Sequence, residues 1–524
     1  MSGAVAALLD LDRVRLLRRP PGPLSGARGP LAALAVITVL GAALRFGLLG
    51  EQGFWYDESY SSFLVRLPIK VMFTTLGHTE STPPLYYALA FVWSHVFSPG
   101  EVGLRSLSAF LGTATVPVAY ILGRELSSPR VGLMAAGFTA SSPLLVWYSQ
   151  EARAYALLVF LGALGLLAFL RALEQPVGTR LAAWSAVSAL ALTAHYFALV
   201  LVLPQAVWLL VRGWRRATTW LSLAAVIATG VGLIPLISEQ LGPPTHTEWI
   251  ARIPLGLRLR QVVTQYVAGF GAPRALLTVA ALGAAVGVVL LARACARERR
   301  AAGVLALLAL SGLTTALLLG ALGHDELITR NLIGDWLPLA LLVALGLGAR
   351  RAGGVGLVVA LALILAWVGV DLAVATESGL QRPDWRRVNR ALGRPSGGRL
   401  IVLDGYRPKI PLLLYRPDMK RVHRNPVFDV AEVDVVVPRV PRGRSCWWGA
   451  ACNLRNAPLR LAPPPGFSVQ RVQRIPNFRL VTLSADHPRR IRPGAVRRKL
   501  DYPRDSAVMF EPRFTRLTGR VHAP

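Results

Sequence analysis

Apolar residues run along most of the chain in blocks of membrane length, broken by short clusters of Arg, Asp, Glu, Gly and Pro. About 20 apolar residues cross a hydrocarbon core as a helix. The blocks predict membrane helices at 31–49, 104–123, 131–148, 154–172, 182–195, 197–211, 218–237, 274–293, 302–322, 332–349 and 353–371. Two of them, on either side of His195-Tyr196, are short and are expected to meet in a tight turn near the membrane surface. The segment 84–98, which contains His95, is shorter still. From about residue 376 the pattern changes to Pro- and Arg-rich sequence with short β-branched runs, 400–403 and 433–437, of strand length between turn residues. The predicted architecture is an all-α polytopic bundle of about eleven membrane helices plus interfacial helices, followed by a small α/β or β-rich domain. Four parts are expected: a basic cytoplasmic N-terminus to residue 30, a membrane body over 31–372 whose first external loop is 50–103, a soluble domain over 373–486, and a basic, poorly ordered end over 487–524.

Composition removes the alternatives. Of 524 residues, 53% are apolar and only 16% charged, against about 25% charged in soluble domains. An ordinary soluble enzyme and a disordered chain are both excluded. The net charge of +30 would suit nucleic acid, but the Arg residues are scattered over short loops and the C-terminal part, with no nucleic-acid motif around them. The positive-inside rule accounts for the loop Arg. Attraction to anionic lipid or an anionic polymer is a second reading of the C-terminal excess.

Arg13, Arg15, Arg18, Arg19 and Arg28 precede the first block, which is expected to be a retained signal anchor with its N-terminus in the cytoplasm. If 84–98 lies along the outer surface, the basic turns at 124–130, 171–180, 212–216, 293–300 and 350–351 all fall on the cytoplasmic side. The acidic loops around residues 57, 80, 101, 151, 239 and 325 then fall outside, and so does the C-terminus. The chain is therefore expected in the cytoplasmic (inner) membrane. Cys295 reads as an inert thiol at a cytoplasmic helix end. Cys446 and Cys452 lie in the external part, where a short-loop disulfide is chemically allowed.

The polar residues worth chemical attention collect on that outer side. The first loop opens with Trp55-Tyr56-Asp57-Glu58-Ser59, two adjacent carboxylates among aromatics at a membrane surface. Such carboxylates are costly to desolvate and suggest a general base. A solvated turn in an aromatic belt is the plain alternative. His78 and Glu80 come just before Pro83-Pro84-Leu85-Tyr86-Tyr87, a sequence that starts a helix; they suit either a hydroxylated acceptor or the helix dipole. A second turn packs Gln150, Glu151, Arg153 and Tyr155 into less than two helical turns. Arg153 can pair with Glu151 or offer its planar fork to a phosphate. His195-Tyr196 and Arg330 complete the set, although a residue at a span end often only snorkels. A polyprenyl-phosphate sugar has matching needs: a tail in the bilayer, a phosphate that wants cations, and a sugar that wants carboxylates and aromatics. No nucleotide-binding glycine motif is present, so a nucleotide-sugar donor is not expected.

These residues resemble the bacterial members of the protein O-mannosyltransferase superfamily, glycosyltransferases of the family-39 type with the GT-C fold. The resemblance rests on WYDES (55–59), H-x-E-x-x-PPLYY (78–87), LR-x-L-S (104–108), Y-x-L-G-R (120–124), SP-x-x-V-x-YSQEARAY (142–155), HY (195–196) and TRNL (329–332). RPDWRR (382–387) resembles the start of the family's external tail. The resemblance implies inverting transfer of a monosaccharide, a hexose or pentose, from a polyprenyl phosphate to an acceptor hydroxyl outside the membrane. Asp57 is the implied general base and Glu58 its positioner or a sugar contact. Arg330 matches the arginine that holds the donor phosphate, with Asn331 where the family more often has an aromatic. Arg153 is a second phosphate or sugar contact. His78, Glu80, Tyr86, Gln150, Glu151, Tyr155, His195 and Tyr196 are implied substrate-lining residues.

No cofactor and no obligatory metal are expected, since two adjacent carboxylates do not make a site; a divalent ion stays open. The expected partners are the lipid-linked sugar, membrane lipid and a protein, polysaccharide or glycolipid hydroxyl, with no nucleic acid. A lipid-linked sugar flippase and a non-catalytic cell-envelope assembly subunit are the rival readings.

Overall fold

The computed structural model describes residues 16–17, 28–242, 249–251, 253–395, 397–403, 409–422, 426–438, 462–500 and 507–512. The chain divides into two compact units, one of residues to 49 together with 64–376, the other of 50–63 together with 377–524. The segment 50–63 therefore groups with the C-terminal part and not, as expected, with the membrane body.

The first unit is helical among its described residues. Its first half holds α1 (Arg28–Phe46), then across the loop α2 (Tyr56–Leu64, all but its last residue in the other unit), α3 (Ile69–Thr79), α4 (Leu85–Phe97), α5 (Glu101–Leu126), α6 (Pro129–Ser141), α7 (Pro143–Ser149) and α8 (Tyr155–Glu174). The second half holds α9 (Gly178–Ala194), α10 (Leu199–Gly213), α11 (Ala217–Gln240), α12 (Leu255–Ala268), α13 (Arg274–Leu290), α14 (Ala296–Ala321), α15 (Trp336–Gly348) and α16 (Gly353–Thr376).

Every predicted span is helical, but fewer than eleven are long enough to cross alone. Among the described residues eight helices qualify by length and composition, or nine if the bent pair α6–α7 counts as one. The runs overcount because they include residues that the helices do not use. Run 332–349 contains a 3₁₀ turn, Ile333–Asp335, which leaves α15 only 13 residues. Helix α9 has 17, about 25 Å at 1.5 Å per residue. Helix α4, also 13 residues, is too short to span by itself.

The run 131–148 is bent by 55° between α6 and α7. Ser142 is extended at the break and its side chain caps α7 by accepting from Leu145 N. Pro143 follows at the first helical position, where a missing N–H costs nothing. The break strands carbonyls of α6, and Arg45, fully buried in α1, takes them up: its Nη2 donates to Thr139 O and its Nη1 to Ala140 O, each at 2.7 Å. Its Nε donates to Ser149 Oγ at 3.2 Å. An Arg at this depth is satisfied by the backbone it repairs.

The second unit carries α17 (Trp385–Leu392), α18 (Lys409–Tyr415) and α19 (Pro493–Lys499). Its strands are β1 (Arg399–Leu403), β2 (Lys420–Arg421), β3 (Phe428–Pro438), β4 (Ser468–Ile475), β5 (Phe478–Ile491) and β6 (Ala507–Glu511). They form one mixed sheet in the order β2-β6-β1-β3-β5-β4, with only β1 and β3 parallel. Both faces are covered. Ile401, Leu403, Val436, Leu480 and Met509 face Trp385, Val388 and Leu412, whereas Leu400, Val402, Val433, Val435 and Val481 face Val496 and Leu500. Strict alternation along β1 puts neighbours into opposite cores, and all five of its residues are buried.

The expectation of a poorly ordered end from residue 487 is corrected for its described residues, 487–500 and 507–512. Strand β5 runs to Ile491, α19 follows, and β6 pairs with β1 near the middle of the sheet. The Arg-rich composition hides these elements because the charge sits between and beside the few apolar positions that face the core. Cys446 and Cys452 lie outside the described residues.

Candidate active site

Asp57 and Glu58 open α2, where acidic side chains suit the positive end of the helix dipole. Glu58 is fully buried, and its Oε2 accepts from Trp55 N at 3.5 Å, the return half of a capping box. Asp57 is half-buried. Tyr56 and Tyr60 meet edge to face with centroids 5.1 Å apart. In the second unit, then, the two carboxylates differ: Glu58 serves the helix start, and Asp57 keeps partial access to solvent.

The other candidates belong to the helical unit and fall into three groups. The first is an ion pair. Arg153 lies between α7 and α8 and meets Glu80 with Nη1 at 2.9 and 3.0 Å from the two carboxylate oxygens. Both side chains are under a tenth exposed. Arg153 Nη1 also donates to Tyr87 OH at 2.8 Å, and Tyr86 packs beside Tyr87 at 5.5 Å. Glu151, one of the two partners considered for Arg153, is linked to it through the backbone, its carbonyl accepting from Arg153 N. Removing one member of a buried pair leaves the other charge uncompensated, at a cost of about 3–5 kcal/mol. Glu80→Ala is accordingly expected to lower the unfolding midpoint of the purified protein sharply, while Glu101→Ala, on a partly exposed helix start, leaves it nearly unchanged. Equal midpoints for the two variants would remove this pair as a support of the fold.

The second group surrounds His195. Its ring is buried in the turn between α9 and α10. Nδ1 accepts from Phe197 N at 3.2 Å, so the neutral ring carries its proton on Nε2. Burial, aided by the charges of Arg153 and Arg330, pushes the imidazole pKa down to about 3. Tyr155 is 5.6 Å from the His195 ring and 4.8 Å from Tyr148. The Arg330 guanidinium lies over two aromatic faces, 5.9 Å from Tyr155 and 5.6 Å from Trp249. A neutral histidine thus lies against Tyr155, whose ring also carries the Arg330 guanidinium. The unfolded chain takes up the His195 proton near pH 6.5 and the folded chain only near 3. Stability from this group is therefore present above pH 6.5 and is lost as pH falls toward 3. His195→Asn is expected to flatten the acid side of a plot of unfolding midpoint against pH; an unchanged slope would contradict a neutral buried ring.

The third group is supporting structure. Tyr196 OH donates to Gln240 Oε1 at 2.8 Å, and Gln240 Nε2 donates to the carbonyls of Thr82 and Leu76 at 3.2 and 3.4 Å. Gln240 so ties the His195-Tyr196 turn to the segment that carries Glu80. Beside it, His78 pairs with Glu239 at 3.1 Å. Gly77 admits that carboxylate, since a Cβ there would lie 2.3 Å from Glu239 Oε2. Gln150 turns its amide nitrogen to the carbonyls of Leu44 and Gly47, at 2.8 and 3.1 Å, and so closes the end of α1. Arg258 grips Asp325 with two bonds of 2.6 Å and reaches Leu327 O at 3.3 Å. The Asp325 pKa falls in response. Asn331 Nδ2 donates to Glu326 O at 2.7 Å, which fixes the loop bearing Arg330. Sequence reasoning named none of Arg45, Gln240 and Arg258, because Arg or Gln at a helix end reads as interfacial. Among the described residues no group of three His, Cys, Asp or Glu is gathered to hold a metal ion.

Comparison with known proteins adds one decisive observation. Residues 81–238, which include Tyr86, Gln150, Glu151, Arg153, Tyr155, His195 and Tyr196, match the family described as dolichyl-phosphate-mannose-protein mannosyltransferase. A search of curated proteins finds no match. Among solved structures, the chain resembles the S. cerevisiae protein O-mannosyltransferase Pmt1-Pmt2 complex bound to the sugar donor at 18% identity and a TM-score of 0.32, over 45% of this chain and 34% of that one. It resembles the oligosaccharyltransferase AglB from Archaeoglobus fulgidus, in complex with an inhibitory peptide and a dolichol-phosphate, at 14% and 0.41, over 69% and 57%. It resembles ArnT from Cupriavidus metallidurans bound to undecaprenyl phosphate at 13% and 0.48, over 88% and 98%. The chain thus spans about a third of the yeast protein's chain and little over half of the archaeal one. The matched segment contains Arg153 and the His195 turn; Asp57, Glu58, His78, Glu80 and Arg330 lie outside it.

Proposed function

We propose that this chain is a membrane glycosyltransferase that moves a monosaccharide from a polyprenyl phosphate to an acceptor hydroxyl on the extracytoplasmic side of the cytoplasmic membrane, with inversion. The observation that carries the reading is the pair of guanidiniums, Arg153 and Arg330, whose charges both bear on buried neutral His195, with Arg330 over two aromatic rings. Guanidiniums match phosphate oxygens, and flat aromatic rings suit a sugar face. The match to the protein mannosyltransferase family supports the reaction class.

In the proposed reaction Asp57 takes the proton of the acceptor hydroxyl as its oxygen bonds to the anomeric carbon. The bond from that carbon to the phosphate oxygen breaks on the opposite face, and its electron pair leaves with the polyprenyl phosphate. Arg330, with Arg153, meets the charge that grows there. His195 offers one N–H and no charge. Glu80 holds Arg153 in place, and Tyr86, Tyr155, Tyr196, His78 and Glu151 contribute lining or support.

The test uses right-side-out and inverted membrane vesicles supplied with a panel of radiolabelled polyprenyl-phosphate sugars and an envelope fraction as acceptor. Label passing to a new species with acceptor outside right-side-out vesicles supports both the reaction and its side. Transfer only to acceptor on the cytoplasmic face overturns the side. Movement of intact donor across the bilayer without transfer replaces the enzyme with a flippase.

A further inference from the structure

The second unit holds a cavity of about 630 Å³ lined by Gly50, Glu51, Arg386, Arg387 and Arg390. The three arginines come from α17, where Arg390 lies one turn on from both Arg386 (i+4) and Arg387 (i+3) and so neighbours each of them. Like charges so close repel one another, by a few tenths of a kcal/mol for each pair on an exposed helix. Arg390 in the last turn suits the helix dipole, but Arg386 and Arg387 sit in the first turn, at its positive end, where cations are disfavoured. Of the two carboxylates nearby, one offsets part of this charge. Asp384 caps the helix through Arg387 N at 3.0 Å and pairs with Arg387 Nε at 3.2 Å. Glu51 is exposed and contributes its carbonyl.

The cavity also adjoins the loop that leads to Asp57. Arg386 Nη2 donates to the carbonyls of Gly50 and Glu51 at 2.6 and 2.8 Å. Two residues on, Gly53 lies so close to α17 that a Cβ would stand 2.5 Å from Asp384 Oδ1 and 2.9 Å from Arg386 N. Phe54 N donates to Tyr415 OH at 2.7 Å. The loop is thus fastened to the soluble unit just before its candidate base. Asp57 follows Glu51 by six positions, at most about 20 Å of extended chain.

We propose that this arginine-lined cavity is an anion subsite that takes a phosphoryl group, and that the group belongs to the acceptor. Planar guanidiniums match phosphate oxygens in pairs, and a bound dianion would relieve the repulsion within α17. The acceptor part rests on the function proposed above; the binding of phosphoryl groups does not. A membrane lipid headgroup and a soluble phosphorylated glycan share this chemistry.

The experiment uses the full chain in phosphatidylcholine nanodiscs, carrying Arg330→Ala to silence the proposed donor site, titrated calorimetrically with pyrophosphate. Arg387→Gln with Arg390→Gln is expected to weaken binding on the order of tenfold for each guanidinium removed. Arg386 is left intact because it holds the loop. Glu51→Gln, which removes the carboxylate from the cavity wall, is expected to tighten binding. Pyrophosphate affinity that is absent from the parent, or equal in the parent and the double variant, overturns the subsite. Repeating the titration in phosphatidylglycerol nanodiscs separates the sources: competition marks a lipid headgroup, and its absence marks a soluble phosphorylated ligand. In the transfer assay, pyrophosphate competing with acceptor supports the acceptor assignment; competition with donor alone, or none, overturns it. Loss of transfer in every chain with pyrophosphate binding intact would sink the transferase and spare the subsite.

Discussion

Asp57→Asn is expected to lower kcat by about 10²–10⁴-fold, the usual contribution of a positioned general base, while leaving the affinity for polyprenyl phosphate unchanged. The substitution keeps shape and removes only the ability to accept a proton. It also keeps a side chain that tolerates the start of α2, where Asp57 sits in the first turn. The fold of the loop depends on other groups: Arg386 on the Gly50 and Glu51 carbonyls, Tyr415 on Phe54 N, and Glu58 on Trp55 N. Single-turnover transfer and donor binding, measured on the same preparation, separate chemistry from binding. Parental turnover in the Asp57→Asn variant would take Asp57 out of the mechanism. Glu58→Gln supplies the contrast, since its expected loss is one of stability at the helix start and not of proton transfer.

Arg330→Ala is expected to cost about 10²–10³-fold in kcat, as does removal of one donor to a developing oxyanion, and to raise the donor KM more than the acceptor KM. The guanidinium lies against the rings of Tyr155 and Trp249, so Lys, a compact ammonium without a planar face, is not expected to restore it. The loop beneath is held separately by Arg258 on Asp325 and Asn331 on the Glu326 carbonyl. Loss of the guanidinium should therefore leave the loop in place, and a change in unfolding midpoint is not expected. A rise in acceptor KM with donor KM untouched would assign Arg330 to the acceptor and contradict the phosphate role.

The elements themselves were largely legible. Apolar run length located the long helices of the body, since length and hydrophobicity are what a bilayer selects, but not the shorter α3 and α12, which lie in stretches read as external loop. It overstated their reach where caps and a 3₁₀ turn consume part of a run, as at Ile333–Asp335. Alternation and β-branching located β1 and β3 but not β6, whose five residues follow a stretch of mixed charge. The candidate site was legible as a set of residue types. In the structure Tyr155 lies against His195 and under Arg330, and Arg153 pairs with Glu80, a partner the sequence did not point to. Gln150 and Tyr196, expected to line the substrate, also make contacts that brace the scaffold.

By itself, then, the sequence determined the solvent: a chain this apolar, with its cations in short turns, belongs in a membrane because charge is expensive there and must sit at the ends of helices. It also carries the likeness to the mannosyltransferase family, since Gln150–Tyr155 and His195-Tyr196 lie within the matched stretch. Only the tertiary structure decided which charge answers which. Arg45 repairs the carbonyls freed at Ser142-Pro143, Gln240 reaches back to the carbonyls of Leu76 and Thr82, and Arg386 holds the Gly50–Glu51 backbone. A guanidinium or an amide can satisfy many partners, and nothing local chooses among them. The choice is made when packing excludes water and leaves particular carbonyls and carboxylates within about 3 Å, where an unpaired polar group would cost more than ordering the side chain that pairs with it.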